Sequence, residues 1–303
     1  MWGGGRAQED VLPEDQITKT QGLSEDQATR YWRDGYLFPV DLMSSARAQL
    51  WREKLETVER DYKDAKMPRT LNTYKRINAQ CVMPFAYELA SQPRLLDIIE
   101  AILGPDILIY GAEFFIKEAH SEQIVTMHQD LTYWGLGATD NLVTAWIALS
   151  EVNVKSGCMQ FVAGSHANQI LPHEDTFDEN NLLSRGQEIQ VEVKEEDKTD
   201  IILRPGQLSL HHGRMIHGSG PNQSDDRRIG FVIRYVNPNV LQEVAQKDYA
   251  MLVRGADRAR HFVHYTPPQT LFAPSHLALY EEMRDAQRQA MMAGASKTSS
   301  LYD

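Results

Sequence analysis

The sequence predicts an all-β core with helical additions, of the jelly-roll or double-stranded β-helix type. Three observations carry this. From Ile107 onward, short β-branched and aromatic runs succeed one another; Gly- and Pro-rich turns separate them; and no helical segment of the kind a parallel βαβ sheet needs intervenes. The runs are Ile107–Lys117, Leu142–Leu149, Met159–Val162, Glu188–Val193, Ile201–Leu203, Gln207–His212 and Arg228–Val236. Arg204-Pro205-Gly206 and Gly218-Ser219-Gly220-Pro221-Asn222 are the clearest turns between them.

Ahead of the strands, apolar residues recur with helical spacing in Ser24–Gly35, Ser45–Asp64 and Pro93–Leu103, the last stopped by Gly104-Pro105. Residues 1–22 are polar and Gly-rich and are expected to form a flexible leader. Residues 23–275 then make a single domain that includes the helices, and 276–303 a C-terminal surface helix with a frayed tail.

Composition narrows the partners. The chain has 303 residues, 42% hydrophobic and 24% charged, in the range of a soluble globular protein. A net charge of −11 opposes phosphate backbones, so nucleic acid is a poor candidate partner and none is expected, although a few pocket arginines can still receive an anionic small molecule. The two cysteines, Cys81 and Cys158, lie in apolar surroundings and read as reduced core thiols. The N-terminal residues lack a signal-peptide run and no stretch is apolar enough to span a bilayer, so the expectation is a cytoplasmic protein without a membrane partner.

The chemistry concentrates in a few residues. In a His-x-Asp pair on a strand, side chains alternating with period two bring imidazole and carboxylate to one face, where they can share a metal. His128-Gln129-Asp130 has apolar and aromatic flanks, Ile124-Val125-Thr126-Met127 before it and Leu131-Thr132-Tyr133-Trp134 after it. His173-Glu174-Asp175 has the same spacing but opens an acidic, polar stretch, and reads as a solvated loop.

A third ligand should come from Leu210–Ser219, and His217 is the best placed because a tight turn follows it and a returning strand begins at Arg228. Two histidines and one carboxylate leave three metal positions open, the arrangement associated with Fe(II) oxygenases; these can take 2-oxoglutarate and O2. The distal carboxylate of 2-oxoglutarate needs a fixed cation. Alternation puts Arg228 and Arg234 on one face and Arg227 on the other, so Arg228 is the preferred anchor. Arg234 is left as a substrate contact or a structural ion-pair partner.

These residues, with Trp146 in Val143-Thr144-Ala145-Trp146 and with Gly164-Ser165-His166, resemble the phytanoyl-CoA dioxygenase family of Fe(II)/2-oxoglutarate oxygenases over roughly 35–237. The resemblance implies His128, Asp130 and His217 as iron ligands and Arg228 as the 2-oxoglutarate anchor. It also implies that Gln129, Trp146 and Ser219 help seat the cosubstrate, against readings of them as an outward strand position, a core residue and a turn residue. His166 is structural in the family; His211 and His212 orient the strand or support the ligands. Asp130 speaks against halogenation, because related halogenases carry a small residue there.

The implied reaction oxidises an unactivated C–H bond of a small, polar molecule of specialised metabolism, with succinate and CO2 as coproducts. Hydroxylation is the first expectation, and desaturation or radical cyclisation are open. Tyr133 and Trp134, with Asn72, Tyr74, Lys75, Arg76 and Asn78, are candidate pocket residues, and Lys75 with Arg76 would suit a carboxylate or phosphonate. The rival readings are a cupin-like metalloenzyme that does not use 2-oxoglutarate and a non-catalytic binding β-barrel. Such a binding protein usually loses a ligand, whereas all three and the arginine stand here.

Overall fold

The computed structural model describes residues 22–178 and 180–297. The expected leader, but for Gly22, and the end of the tail lie outside the described residues. Helix α1 (Glu25–Asp34) opens the described chain on a reciprocal cap: Ser24 accepts from the Gln27 N–H and the Gln27 side chain accepts from the Ser24 N–H. Gly35 ends it at φ 81°, a left-handed conformation that glycine adopts without a Cβ penalty. Then come β1 (Tyr36–Asp41), α2 (Ser45–Asp61), α3 (Leu71–Arg76), α4 (Ala79–Val82), α5 (Pro84–Ala90) and α6 (Pro93–Leu103).

The strand-rich part runs β2 (Ile107–Lys117), β3 (Val125–His128), β4 (Leu142–Ala148), β5 (Met159–Val162), β6 (His173–Asp175), β7 (Gln187–Ile189) and β8 (Lys198–Ile201). It continues with β9 (Gln207–His212), β10 (His217–Ser219), β11 (Arg228–Val236), β12 (Tyr249–Arg254) and β13 (Val263–His264), and α7 (Pro274–Met291) closes the described chain. Seven strands form one sheet in the order β1-β9-β4-β11-β2-β12-β13; four form a second, β3-β10-β5-β8; β6 and β7 pair alone. The two larger sheets make an open sandwich, not a closed barrel, as the strand runs predict.

Alternation in the large sheet assigns each strand's two faces. In β11, Ile229, Phe231, Ile233 and Tyr235 join one core cluster with the N-terminal helices, and Phe231 packs on Phe114 at 4.7 Å between ring centroids. Arg228, Gly230, Val232 and Arg234 take the opposite face, toward the small sheet. There Val232, Trp146 and Ala148 pack with Met159, Phe161 and Ile201. Each large side chain buried this way contributes about 1.5–3 kcal/mol, so the helix-covered face anchors the sheet whose other face carries the site.

The structure differs from the sequence reading in several places. Glu188–Val193 forms a strand only at β7; beyond it Gln190, Val191 and Glu192 are exposed, and the ladder ends at the Gln190 N–H, which donates to the Pro172 carbonyl at 3.0 Å. The expected strand at Ile201–Leu203 is displaced to β8, Leu203 forming only a bridge with Val152. His173–Asp175 is a paired strand rather than a solvated loop. The C-terminal helix begins at Pro274 and is no surface addition: Tyr280, Met283 and Ala286 belong to the main core cluster. Among the described residues no helix is long and apolar enough to cross a membrane.

Candidate metal centre

His128 and Asp130 share a face, but not on one strand. His128 ends β3, Gln129 keeps extended backbone (φ −119°, ψ 127°), and Asp130 begins a 3-10 turn, so the period of two survives the strand's end. Opposite, His217 begins β10 and is the register partner of His128. One ligand atom from each of His128, Asp130 and His217 lies within 4.8 Å of the others. The Asp130 Oδ1 is 3.4 Å from the His128 Nε2 and 3.9 Å from the His217 Nε2.

Both histidines are set in the same way. The Nδ1 of His128 meets the Thr126 carbonyl at 2.9 Å and that of His217 the Met215 carbonyl at 2.9 Å. A carbonyl only accepts, so Nδ1 carries the proton and the Nε2 lone pair faces the centre. Burial, then the neighbouring His128, holds His217 well below the ordinary histidine range; burial also lowers His211, against the pull of Asp130. Burial of Asp130 is outweighed by His128 and His211, which hold its carboxyl well below the usual range. Neutral imidazoles beside an ionised carboxylate are the protonation pattern that a divalent metal needs.

The centre sits at the waist of a two-lobed cavity. Trp146, Ser219, His211 and Arg228 line an inner lobe with an empty volume of about 450 Å³. Arg76, Asn78, Glu113, Tyr133 and Trp134 line a larger, outer lobe of about 880 Å³. Arg234 and Asp130 line both.

Arg228 is 1% exposed, and the only hydrogen bond its guanidinium makes among the described residues is to the Gly157 carbonyl. Its Cζ lies 5.5 Å from the Trp146 ring centroid, and among the described residues no carboxylate pairs with it. Burial pushes its pKa down to about 10. A buried guanidinium without an acid fits an anionic group such as the distal carboxylate of 2-oxoglutarate. Arg227, by contrast, turns outward to Glu59 and Glu118, at 2.7 and 2.8 Å.

Other expected residues divide. Trp146 and Ser219 face the inner lobe, and Tyr133, Trp134, Arg76 and Arg234 the outer one. Arg234 pairs with Glu113 and stacks over Trp134 at 4.6 Å, while Arg76 reaches the other Glu113 oxygen at 3.3 Å. Four expected residues are placed elsewhere. Asn72 is exposed and Lys75 is turned to Glu59 of α2, so neither lines the cavity. Tyr74 is core, packed on Tyr280 at 4.8 Å. The Gln129 amide is spent on backbone, donating to Arg214 O at 2.8 Å and accepting from Leu171 N at 2.8 Å.

Of the remaining histidines, His173 accepts the Gln129 N–H at 3.0 Å and so supports the ligand turn. His212 faces Asp140 and His166 the Trp32 carbonyl, both away from the centre. Sequence reasoning missed Glu113, Lys117 and Thr144, whose hydroxyl lies 3.4 Å from Asp130 Oδ2. The signal was available for Glu113 and Lys117: charged residues inside or closing an otherwise apolar strand run.

A jelly-roll sandwich with two neutral imidazoles, one carboxylate and a buried arginine in one cavity defines a mononuclear non-haem metal oxygenase. Comparison with known proteins agrees. The phytanoyl-CoA dioxygenase (PhyH) family pattern matches residues 31–230. The peroxisomal phytanoyl-CoA dioxygenase of Bos taurus is 24% identical over 262 residues, covering 77% of this chain and 76% of that protein. A probable alpha-ketoglutarate-dependent hypophosphite dioxygenase of Stutzerimonas stutzeri is 29% identical over 150 residues, 48% of this chain and 51% of that one. Among solved structures, the non-haem monooxygenase ThoJ superposes with TM-score 0.80 at 30% identity, covering 88% of this chain and 98% of that one. The chain belongs to the phytanoyl-CoA dioxygenase family, and with it to the Fe(II)/2-oxoglutarate-dependent dioxygenases.

Proposed function

We propose that this dioxygenase oxidises an unactivated C–H bond of a small, polar molecule, hydroxylation being the first outcome and desaturation or ring closure the variants. His128, Asp130 and His217 hold the iron, and Arg228 binds the distal carboxylate of 2-oxoglutarate. One observation carries the reading: a buried arginine, without an acidic partner among the described residues, shares a cavity with the two-histidine, one-carboxylate triad.

Iron bound there supplies O2 activation coupled to decarboxylation of 2-oxoglutarate. The chain supplies the rest. Arg228 offers a forked donor to one end of the cosubstrate, and Trp146 walls the lobe and excludes water. Asp130, kept ionised by its imidazole neighbours, offers the anionic ligand. In the outer lobe, Arg76, Arg234, Tyr133 and Trp134 seat the substrate so that its target carbon, rather than another, faces the centre. Two guanidiniums against the single Glu113 carboxylate leave that wall net positive, which suits a polar or anionic group on the substrate.

The test is an anaerobic absorption titration of metal-free protein with Fe(II) and then 2-oxoglutarate, beside His217→Ala and Arg228→Leu. A visible charge-transfer band in wild type, absent without His217 and weakened without Arg228, is expected. Folded, iron-loaded wild type without such a band would refute cosubstrate chelation and leave a metalloenzyme that does not use 2-oxoglutarate.

A further inference from the structure

We propose that Lys117 is a positioning residue of the cosubstrate pocket, holding the Ser219 hydroxyl as a hydrogen-bond donor toward the carboxylate that Arg228 anchors. The inference rests on the reading of the inner lobe given above and extends it to a residue outside that lobe.

Lys117 ends β2 and is the register partner of Arg228, so the two long cations leave adjacent strands on the same face. Lys117 is 0% exposed, and no carboxylate pairs with it among the described residues. Its Nζ is surrounded by three acceptors: the Ser219 hydroxyl at 2.8 Å, the Ser219 carbonyl at 3.2 Å and the Gly220 carbonyl. An ammonium has three N–H groups and nothing to accept with, so in its charged form Lys117 donates to all three, the Ser219 hydroxyl included; a neutral amine would instead donate to the two carbonyls and accept the Ser219 O–H.

The consequence falls on Ser219. Lys117 donates into the hydroxyl oxygen and occupies one of its lone pairs. The hydroxyl hydrogen must point elsewhere, and it meets no protein acceptor among the described residues. Ser219 lines the inner lobe beside Arg228, so that hydrogen is offered to whatever anion the guanidinium holds. The platform is stiff: the Asn222 amide donates to the carbonyls of Lys117 (3.1 Å), Glu118 (3.0 Å) and Asp226 (2.9 Å), tying the end of β2 to the turn.

The arrangement is expensive without a ligand. Without an anion in the lobe, burial, and then Arg228, push the Lys117 pKa down to about 6, which favours the neutral amine. An anion entering the lobe offsets both groups, for which the described residues provide no acid, and so brings Lys117 to its charged, donating form.

The experiment measures 2-oxoglutarate affinity of the Fe(II)-loaded full chain without oxygen, from the charge-transfer absorption. It compares wild type, Lys117→Met, Lys117→Gln, Ser219→Ala and the Lys117→Met/Ser219→Ala double variant. 2-Oxopentanoate, which keeps the chelating end and lacks the distal carboxylate, serves as the second probe. Lys117→Met and Ser219→Ala should each weaken 2-oxoglutarate by about tenfold or more, with Lys117→Gln between them and wild type. The double variant should be no worse than the weaker single one, because both remove the same contact. Affinities for Fe(II) and for 2-oxopentanoate should stay within about twofold of wild type.

The proposal is overturned if Lys117→Met binds 2-oxoglutarate as wild type does, or if the two losses multiply in the double variant. It is equally overturned if Fe(II) and 2-oxopentanoate weaken in step with 2-oxoglutarate, which marks a merely structural lysine. Should Lys117→Met not fold, Lys117→Gln and Ser219→Ala are judged on the same criteria. Arg228→Leu separates the two levels. If it leaves 2-oxoglutarate affinity unchanged, the cosubstrate reading itself fails; if it weakens binding while the Lys117 variants do not, only the present inference falls.

Discussion

His128 and His217 face each other across β3 and β10 with ring centroids 4.2 Å apart, each proton-bearing nitrogen turned to a carbonyl and each lone pair turned to Asp130. Two buried imidazoles so close gain little from each other without a metal between them and the carboxylate. His217→Ala is therefore expected to weaken Fe(II) binding by more than about 100-fold, while circular dichroism stays that of wild type. A calorimetric titration showing wild-type affinity in the variant would remove His217 from the ligand set.

The same burial sets a pH dependence. In the metal-free protein His211 and His217 are depressed below the histidine value of 6.5, and His212 to about 4. Below about 6.5 the unfolded chain therefore binds protons that the folded chain refuses, and stability falls with acidification by up to about 1.4 kcal/mol per pH unit for each group. Asp130 is depressed as well, but its contribution is lost only as pH falls below the unfolded carboxylate value of 3.8. Urea unfolding in the presence of a chelator at pH 7 and pH 5 should show the loss, and His217→Gln should show less of it. An equal loss in the variant would assign the effect elsewhere.

Gly230 is held by Trp146. A Cβ at this position would stand 2.0 Å from the Trp146 Cζ2, inside the indole face that walls the inner lobe. Gly230→Ala should destabilise the protein by about 1–3 kcal/mol through overpacking and weaken 2-oxoglutarate binding as the indole is displaced. Thermal unfolding together with the charge-transfer titration would check both; a variant normal in both would mean that the indole moves freely.

Arg76 and Trp134 line the outer lobe and not the inner one, so their loss should separate substrate from cosubstrate. Arg76→Met and Trp134→Ala are expected to leave 2-oxoglutarate affinity within about threefold of wild type and to lower substrate-stimulated succinate release by about tenfold or more. A screen of small carboxylates, phosphonates, amines and amino acids against both proteins reads this out. Loss of 2-oxoglutarate affinity in Arg76→Met would instead couple that arginine to the inner lobe.

The sequence displays most of what the large sheet needs. Ile107–Lys117, Gln207–His212 and Arg228–Val236 are strands at the residues expected, because alternation over six or more positions between clear turns leaves few other solutions. The metal triad was legible for the same reason: a two-residue period and a turn are local. What was hidden is set by tertiary contact. Lys75 and Arg76 look alike along the chain, yet helix α3 sends one to Glu59 and the other to Glu113, a choice that depends on where α2 and β2 lie. Gln129 looks like a cosubstrate residue until the loops at Leu171 and Arg214 arrive to use its amide. The short strand β6 pairs only with β7, and a three-residue pairing carries too little pattern to be read in advance.

Each histidine ligand is oriented by the carbonyl two residues before it, Thr126 for one and Met215 for the other. Neither orientation depends on the identity of a neighbouring side chain. The tautomer is in effect inherited from the peptide backbone, so drift can rewrite the surroundings of the centre, and with them its choice of substrate, without disturbing the nitrogens that face the metal.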